Sequence, residues 1–112
     1  MRVRVRVDLI PDLNGKVITF YLGEDDVVFQ LMRQVDDRGK YVSDEPHELV
    51  GADGAAFPYG VTTCAVFPSR IRLRVSNEVS AHLNDSGEYE FEIEGGVDDE
   101  LRDSLLGMMK GN

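Results

Sequence analysis

Polar and apolar residues alternate one by one at the start of the chain. From Arg2 to Asp8, Val3, Val5 and Val7 fall on one side of an extended backbone and three arginines on the other. A period of two belongs to a half-buried β-strand, whose successive side chains point to opposite faces. The pattern returns three times. Lys16 to Leu22 turns Ile18, Phe20 and Leu22 inward. Arg70 to Val75 turns Ile71, Leu73 and Val75 inward and three arginines outward. Glu88 to Glu94 buries Tyr89, Phe91 and Ile93 and exposes its glutamates. Asn14-Gly15, a favoured two-residue hairpin pair, is expected to join the first two strands. The acidic tip Gly23-Glu24-Asp25-Asp26 reverses the chain again.

Val27 to Gln34 departs from the alternation. It is apolar at nearly every position, so both faces are expected to be covered and the strand to lie centrally. From Asp36 to Phe57 the pattern lapses into a loop, with a short strand expected at His47–Val50. Pairing resumes at Gly60–Phe67 and turns at Pro68-Ser69 into the Arg70 strand. Ser76-Asn77 is placed to cap a short helix running through Leu83, and Asp85-Ser86-Gly87 to turn into the glutamate strand. The period changes once more from Asp98 to Lys110, where Leu101, Leu105 and Met108 form a helical stripe. Asp98, Asp99 and Glu100 suit the positive end of that helix dipole, and Gly111 follows its other end. The fold expected is α+β and mostly β: an antiparallel twisted sheet of about six or seven strands, one short helix and a C-terminal helix. At 112 residues this makes a single domain.

Charge sharpens the pairing. Three strands carry outer faces of one sign: arginine, arginine and glutamate. Opposite charges across an antiparallel pair attract and like charges repel. Glu88–Glu94 is therefore expected beside Arg70–Val75, or between the two arginine strands. Six of the 12 basic residues sit in those two strands, against 21 acidic residues and a net charge of −9. An exterior of this kind repels nucleic acid and anionic lipid and attracts a basic partner at long range.

Candidate chemistry is sparse. The lone Cys64 cannot form an internal disulfide and reads as a small buried hydrophobe within TTCAVF. His47 and His82 stand in unrelated contexts, suited to surface or cap roles. No metal-ligand cluster, phosphate-binding glycine loop or nucleophile elbow occurs, and the loop carboxylates lack the burial that would make general acids of them. The expectation is a protein without enzymatic activity, cofactor, metal or catalytic residue. No apolar run reaches the roughly 18 residues of a membrane helix. The arginine–valine start has no apolar signal core, so a cytoplasmic, non-membrane protein is expected.

Several pieces of the chain from Val17 onward resemble the immunity protein 10 family of bacterial polymorphic toxin systems. They are Phe29-Gln30-Leu31-Met32-Arg33, the Tyr59-Gly60 step, the alternating strand Ile71 to Val75, Ala81-His82-Leu83, the alternating strand after it and the closing helix Leu101 to Met109. Where the family has a Tyr-Gly-Gly step, this chain has Tyr59-Gly60-Val61. The resemblance implies stoichiometric inhibition: a protein partner, a basic toxin domain, is bound and occluded. The surface expected to meet that toxin is the acidic loop with Asp36, Asp37, Tyr41, Asp44, Glu45 and Glu48, which joins charge to an aromatic anchor. Phe57 and Tyr59 read as core or turn packing. Two other classes stay open. One is a structural module forming a homodimer through the apolar face of the Val27–Gln34 strand; the other is an enzyme site assembled around Cys64 and a histidine.

Overall fold

The computed structural model of the chain describes residues 1–110. Eight strands form, with β1, β2, β7 and β8 where the period of two places them: β1 (Arg2–Ile10), β2 (Gly15–Leu22), β3 (Asp26–Gln34), β4 (Glu48–Gly51), β5 (Ala56–Pro58), β6 (Val61–Val66), β7 (Arg70–Val75) and β8 (Glu88–Ile93). Two helices complete the fold, α1 (Asn77–Leu83) before β8 and α2 (Asp99–Met109) after it. Ser76 caps α1 by accepting from the Val79 N–H, and Asp98 caps α2 by accepting from the Leu101 N–H. Each removes an orphan donor from the first helical turn. The Gly111 stop expected after α2 lies outside the described residues.

The strands make one sheet of eight in the order β5-β4-β3-β2-β1-β8-β7-β6. It is mixed, which corrects the antiparallel expectation: β1 and β8 run parallel, with Arg2 beside Glu92 and Val3 beside Ile93. From Arg4 onward β1 pairs instead with β2, antiparallel. The period of two says which residues share a face; it carries no information on the direction of a neighbour from the far end of the chain. The additional strand is β5, whose three residues end on Pro58 and are too short to show a period.

The sheet folds over on itself along β1. Phe29 on β3 and Phe91 on β8 stand three places apart in the strand order, about 14 Å in a flat sheet. Their ring centroids are 5.8 Å apart, and Phe20 lies 5.2 Å from Phe29 and 5.1 Å from Phe91. The core is the space enclosed between the two halves. Ile18, Phe20, Phe29, Leu31, Leu49, Ile71 and Phe91 are fully buried in it. Leu101, Leu105 and Met108 of α2 enter from the side bounded by β1 and β6, and Val79 of α1 enters near β4 and β5.

Two local expectations are corrected. Asn14-Gly15 is not a two-residue turn; Pro11–Leu13 form a 3-10 turn ended by Asn14 in the left-handed region (φ +46°), and Gly15 already pairs with Ile10. The strand most completely covered on both faces is β2, not β3. Its outward Val17 and Thr19 are as buried as its inward Ile18 and Phe20. Gln30 of β3 donates to the Thr19 hydroxyl, and the Arg6–Asp8 pair of β1 stands beside Thr19 and Val17 in register. Val28, Gln30 and Met32 of β3 remain only half-buried.

The charge ladder forms as expected. β8 lies between β7 and β1, with Arg70, Arg72 and Arg74 beside Glu92, Glu90 and Glu88. The Arg70 guanidinium reaches Glu90 at 2.9 Å, Arg72 reaches Glu90 at 3.7 Å, and Arg74 reaches Glu88 at 2.5 Å.

Candidate partner-binding surface

The acidic stretch after β3 is two tight turns. The Asp36 carboxylate accepts from the Arg38 and Lys40 N–H groups, both at 2.9 Å, and Gly39 (φ +79°) lets the chain return so that Tyr41 bridges to Val35. A second turn closes where the Glu45 N–H meets the Val42 carbonyl at 3.2 Å. Asp36 therefore shapes the loop with its own carboxylate. Asp37, Asp44 and Glu45 are exposed, and Glu48 opens β4 half-exposed.

Tyr41 does not stand out as an anchor. Its hydroxyl donates to the Ser104 carbonyl of α2 at 2.7 Å, and its ring lies under the Lys16 ammonium (5.7 Å) and the Arg33 guanidinium (5.4 Å). Burial pushes its phenol up to about 12, against the opposing pull of Arg33. The ring is a lid that holds the loop to the C-terminal turns of α2.

Arg33 fastens the same corner. It ends the core-facing row of Phe29 and Leu31 on β3 and is buried. One terminal nitrogen donates to the Met108 and Lys110 carbonyls at 2.8 and 2.7 Å and to Gly107 at 3.4 Å; the other donates to Val42 at 3.2 Å. Helix C-termini leave carbonyls without intrahelical donors, and a cation there also suits the dipole. A charged residue continuing an apolar row was the available signal for this role.

The surface has a second component that the sequence pattern did not mark. β5 and β6 are the two edges of the sheet, yet only Tyr59 and Gly60 separate them in the chain. The folded sheet thus brings its edges together at this step. Gly60 lies so close to β4 that a Cβ there would fall 2.6 Å from the Leu49 Cβ. His47, expected in a surface or cap role, is instead fully buried beneath the seam. Its Nε2 accepts from the Val61 N–H at 3.1 Å, and its carbonyl accepts from the Tyr59 N–H at 2.9 Å. The histidine clasps both edges.

Tyr59 itself was read as turn packing, and the structure leaves it half-exposed. It follows Pro58, which stands opposite Glu48 in the β4–β5 pair, and its ring stands edge-on to His47 at 5.9 Å. Phe57, read the same way, is buried as expected. The structure thus divides the six loop residues. Glu45 and Glu48 share a shallow cleft with Met32, Arg33, Gln34 and Pro46; Asp37 and Asp44 are exposed on the turns; Asp36 and Tyr41 are used internally.

Elsewhere, Cys64 faces Leu73 across β6 and β7, and burial pushes its thiol up to about 11. That is the direction opposite to an activated nucleophile. His82 pairs with Asp53 at 2.7 Å on the surface. Among the described residues no three His, Cys, Asp or Glu side chains gather as metal ligands, and no helix is long and apolar enough to cross a membrane. No family model, no curated protein and no solved structure matches the chain.

Proposed function

We propose that the chain is a cytoplasmic immunity-type protein that binds a basic toxin domain one-to-one and occludes it. The reading rests on the segregation of charge. The β7 arginines are engaged by Glu88 and Glu90, and Arg6 by Asp8. Of 21 acidic side chains, only Asp8, Asp53, Glu88, Glu90, Asp99 and Asp103 stand in ion pairs among the described residues. Asp37, Asp44 and Glu45 are left to face solvent on a loop tied at its root by Tyr41 and Arg33, with Glu48 half-exposed at the start of β4. Unpaired carboxylates on a fixed frame steer a cationic surface into encounter without first having to break internal pairs. The resemblance to the immunity protein 10 family points the same way.

Homodimerisation through the outer face of β3 is the less favoured reading, because Val28, Gln30 and Met32 are already half-covered by neighbouring side chains.

The test is co-expression with the product of the adjacent reading frame. The expected result is growth arrest by that product alone, rescue by this chain, and a one-to-one complex in solution. The Asp44→Lys variant should associate more slowly at low salt and converge on the wild-type rate at high salt. Identical association rates for the two at low salt would remove the acidic loop from the interface, and failure to rescue would overturn the reading as a whole.

A further inference from the structure

The sheet has two outer edges, and they are guarded unequally. β5 is three residues long and closes on Pro58, which has no N–H to offer. Brevity and proline both hinder a foreign strand from adding to an edge. β6, at the other edge, has six residues without a proline, a glycine or a charge. It lies within the longest uncharged run of the chain, Gly54 to Ser69. Its one irregularity is a bulge between Val61 and Thr63; from Thr63 to Val66 the ladder with β7 is regular.

Alternation fixes which backbone groups of β6 are spare. The Phe67 N–H donates to the Arg70 carbonyl at 2.8 Å, so Phe67, Ala65 and Thr63 make the hydrogen-bonded pairs with β7. Cys64 and Val66 then direct their N–H and C=O groups away from β7, and among the described residues nothing bonds to these groups. α2 comes close to β6 without supplying a partner. β5 supplies none either, since it pairs with β4 and is joined to β6 through Tyr59-Gly60.

The outer face of the strand is matched to itself. Thr63 and Ala65 stand beside Arg74 and Arg72 in register. Phe67 continues their row, 36% exposed, with the Arg70 and Arg72 guanidinium groups 5.1 and 5.8 Å from its ring centre. A second β6 laid antiparallel to the first, with Ala65 on the twofold axis, lets Cys64 of each copy exchange both backbone bonds with Val66 of the other. The small Ala65 side chains then meet at a non-hydrogen-bonded pair, where backbones approach most closely. Phe67 of each copy falls opposite Thr63 of the other, an aromatic against a β-branched residue.

Charge selects the same occupant. The ionised groups along β7 are arginines matched by Glu88 and Glu90, so no excess of carboxylates draws a cationic partner to this edge. Nucleic acid is repelled by the net charge of −9. A second copy brings an uncharged strand of the same length. We infer that β6 is a self-association edge, through which two copies of this chain join their sheets about a twofold axis at Ala65. The contact involves no residue of the acidic loop, and it holds or fails independently of the toxin reading.

The experiment is sedimentation of the purified chain under reducing conditions from about 10 µM to about 1 mM, with amide hydrogen exchange at both ends of that range. The expected result is a monomer–dimer equilibrium with a Kd on the order of 100 µM, weak because one short strand pair buries less than the roughly 1,600 Å² of a standard interface. Both copies are anionic, so dimerisation should strengthen several-fold between about 0.02 and 0.5 M sodium chloride. The Cys64 and Val66 amides should exchange more slowly at the concentrated end, and the Ala56 amide of β5 should not change. Ala65→Lys sets two like charges on the axis and should leave a monomer throughout, with a melting temperature in dilute solution within about 3 °C of the wild type. Thr63→Lys, at an exposed position, repeats the test if Ala65→Lys does not fold. A monomer at the highest concentration, or a dimer indifferent to both lysines, would overturn the inference. So would a dimer that weakens with salt or that protects β3 amides in place of Cys64 and Val66. Protection of those two amides only when a toxin is bound would give the edge to another protein and overturn it equally.

Discussion

Arg33, Tyr41 and His47 are polar side chains used as joints, each fastening two segments distant in the chain. Arg33 is the most heavily used. Its buried fork satisfies carbonyls of both the α2 terminus and the loop at Val42. Arg33→Met should cost about 3 kcal/mol or more, because it strands several buried acceptors at once. The check is a lower denaturant midpoint with an unchanged slope; Arg33→Lys should recover only part, since an ammonium lacks the planar fork. Tyr41 gives a pH-dependent version of the same test. Its phenol titrates near 10 when the chain is unfolded and is pushed up to about 12 when folded. Below pH 10 both states keep the proton and the contribution is whole. As pH rises from 10 towards 12 the unfolded chain ionises first, so stability falls across that window. Tyr41→Phe should melt lower than the wild type at pH 7, having lost the bond to Ser104, and should decline less steeply between pH 10 and 12. Some decline will remain, because Tyr89 is also shifted upward by burial and by its bond to Asp85.

Among the elements, the β7–β8 pair shows how exposed charge selects a neighbour without supplying much energy. Each surface pair is worth a few tenths of a kcal/mol. The choice of neighbour is decided by the alternative, since pairing the two arginine strands with each other would set like charges side by side. Glu90 touches two arginines, so Glu90→Arg should cost about 1 kcal/mol by placing a third cation between them. Adding Arg72→Glu should restore roughly half, and a double-mutant cycle in chemical denaturation measures that coupling. A double mutant no more stable than Glu90→Arg alone would show that the ladder carries no information on the choice of neighbour. This pairing was legible in advance because alternation and charge sign both reside in short segments. The β1–β8 direction was not legible, because nothing within either strand encodes it.

For the whole molecule, the dominant electrostatic fact is repulsion. With a net charge of −9 and most carboxylates unpaired, the folded chain holds like charges closer together than the unfolded one does. Salt screens exposed charges with a Debye length near 10 Å at 0.1 M. It weakens the ladder and the repulsion alike, and the repulsion involves more groups. Raising sodium chloride from about 0.02 to 0.5 M should therefore raise the melting temperature by a few degrees. A lower melting temperature at high salt would mean that the ion pairs outweigh the repulsion.

The chain by itself determined most of the inward-facing residues, though Leu22, expected inward, is exposed and Tyr89 only partly buried; it also determined where both helices begin and which strands the arginines and glutamates would bring together. Each of these follows from the period, cap or charge of a few consecutive positions. The folding of the sheet over β1 was decided only in three dimensions, and with it the meeting of β5 and β6 at Tyr59-Gly60. So were the burial of His47 beneath that seam and the choice of which tyrosine is tied down. These are properties of the closed sheet: its curvature sums small twists over eight strands, and no local segment records where two distant edges will meet.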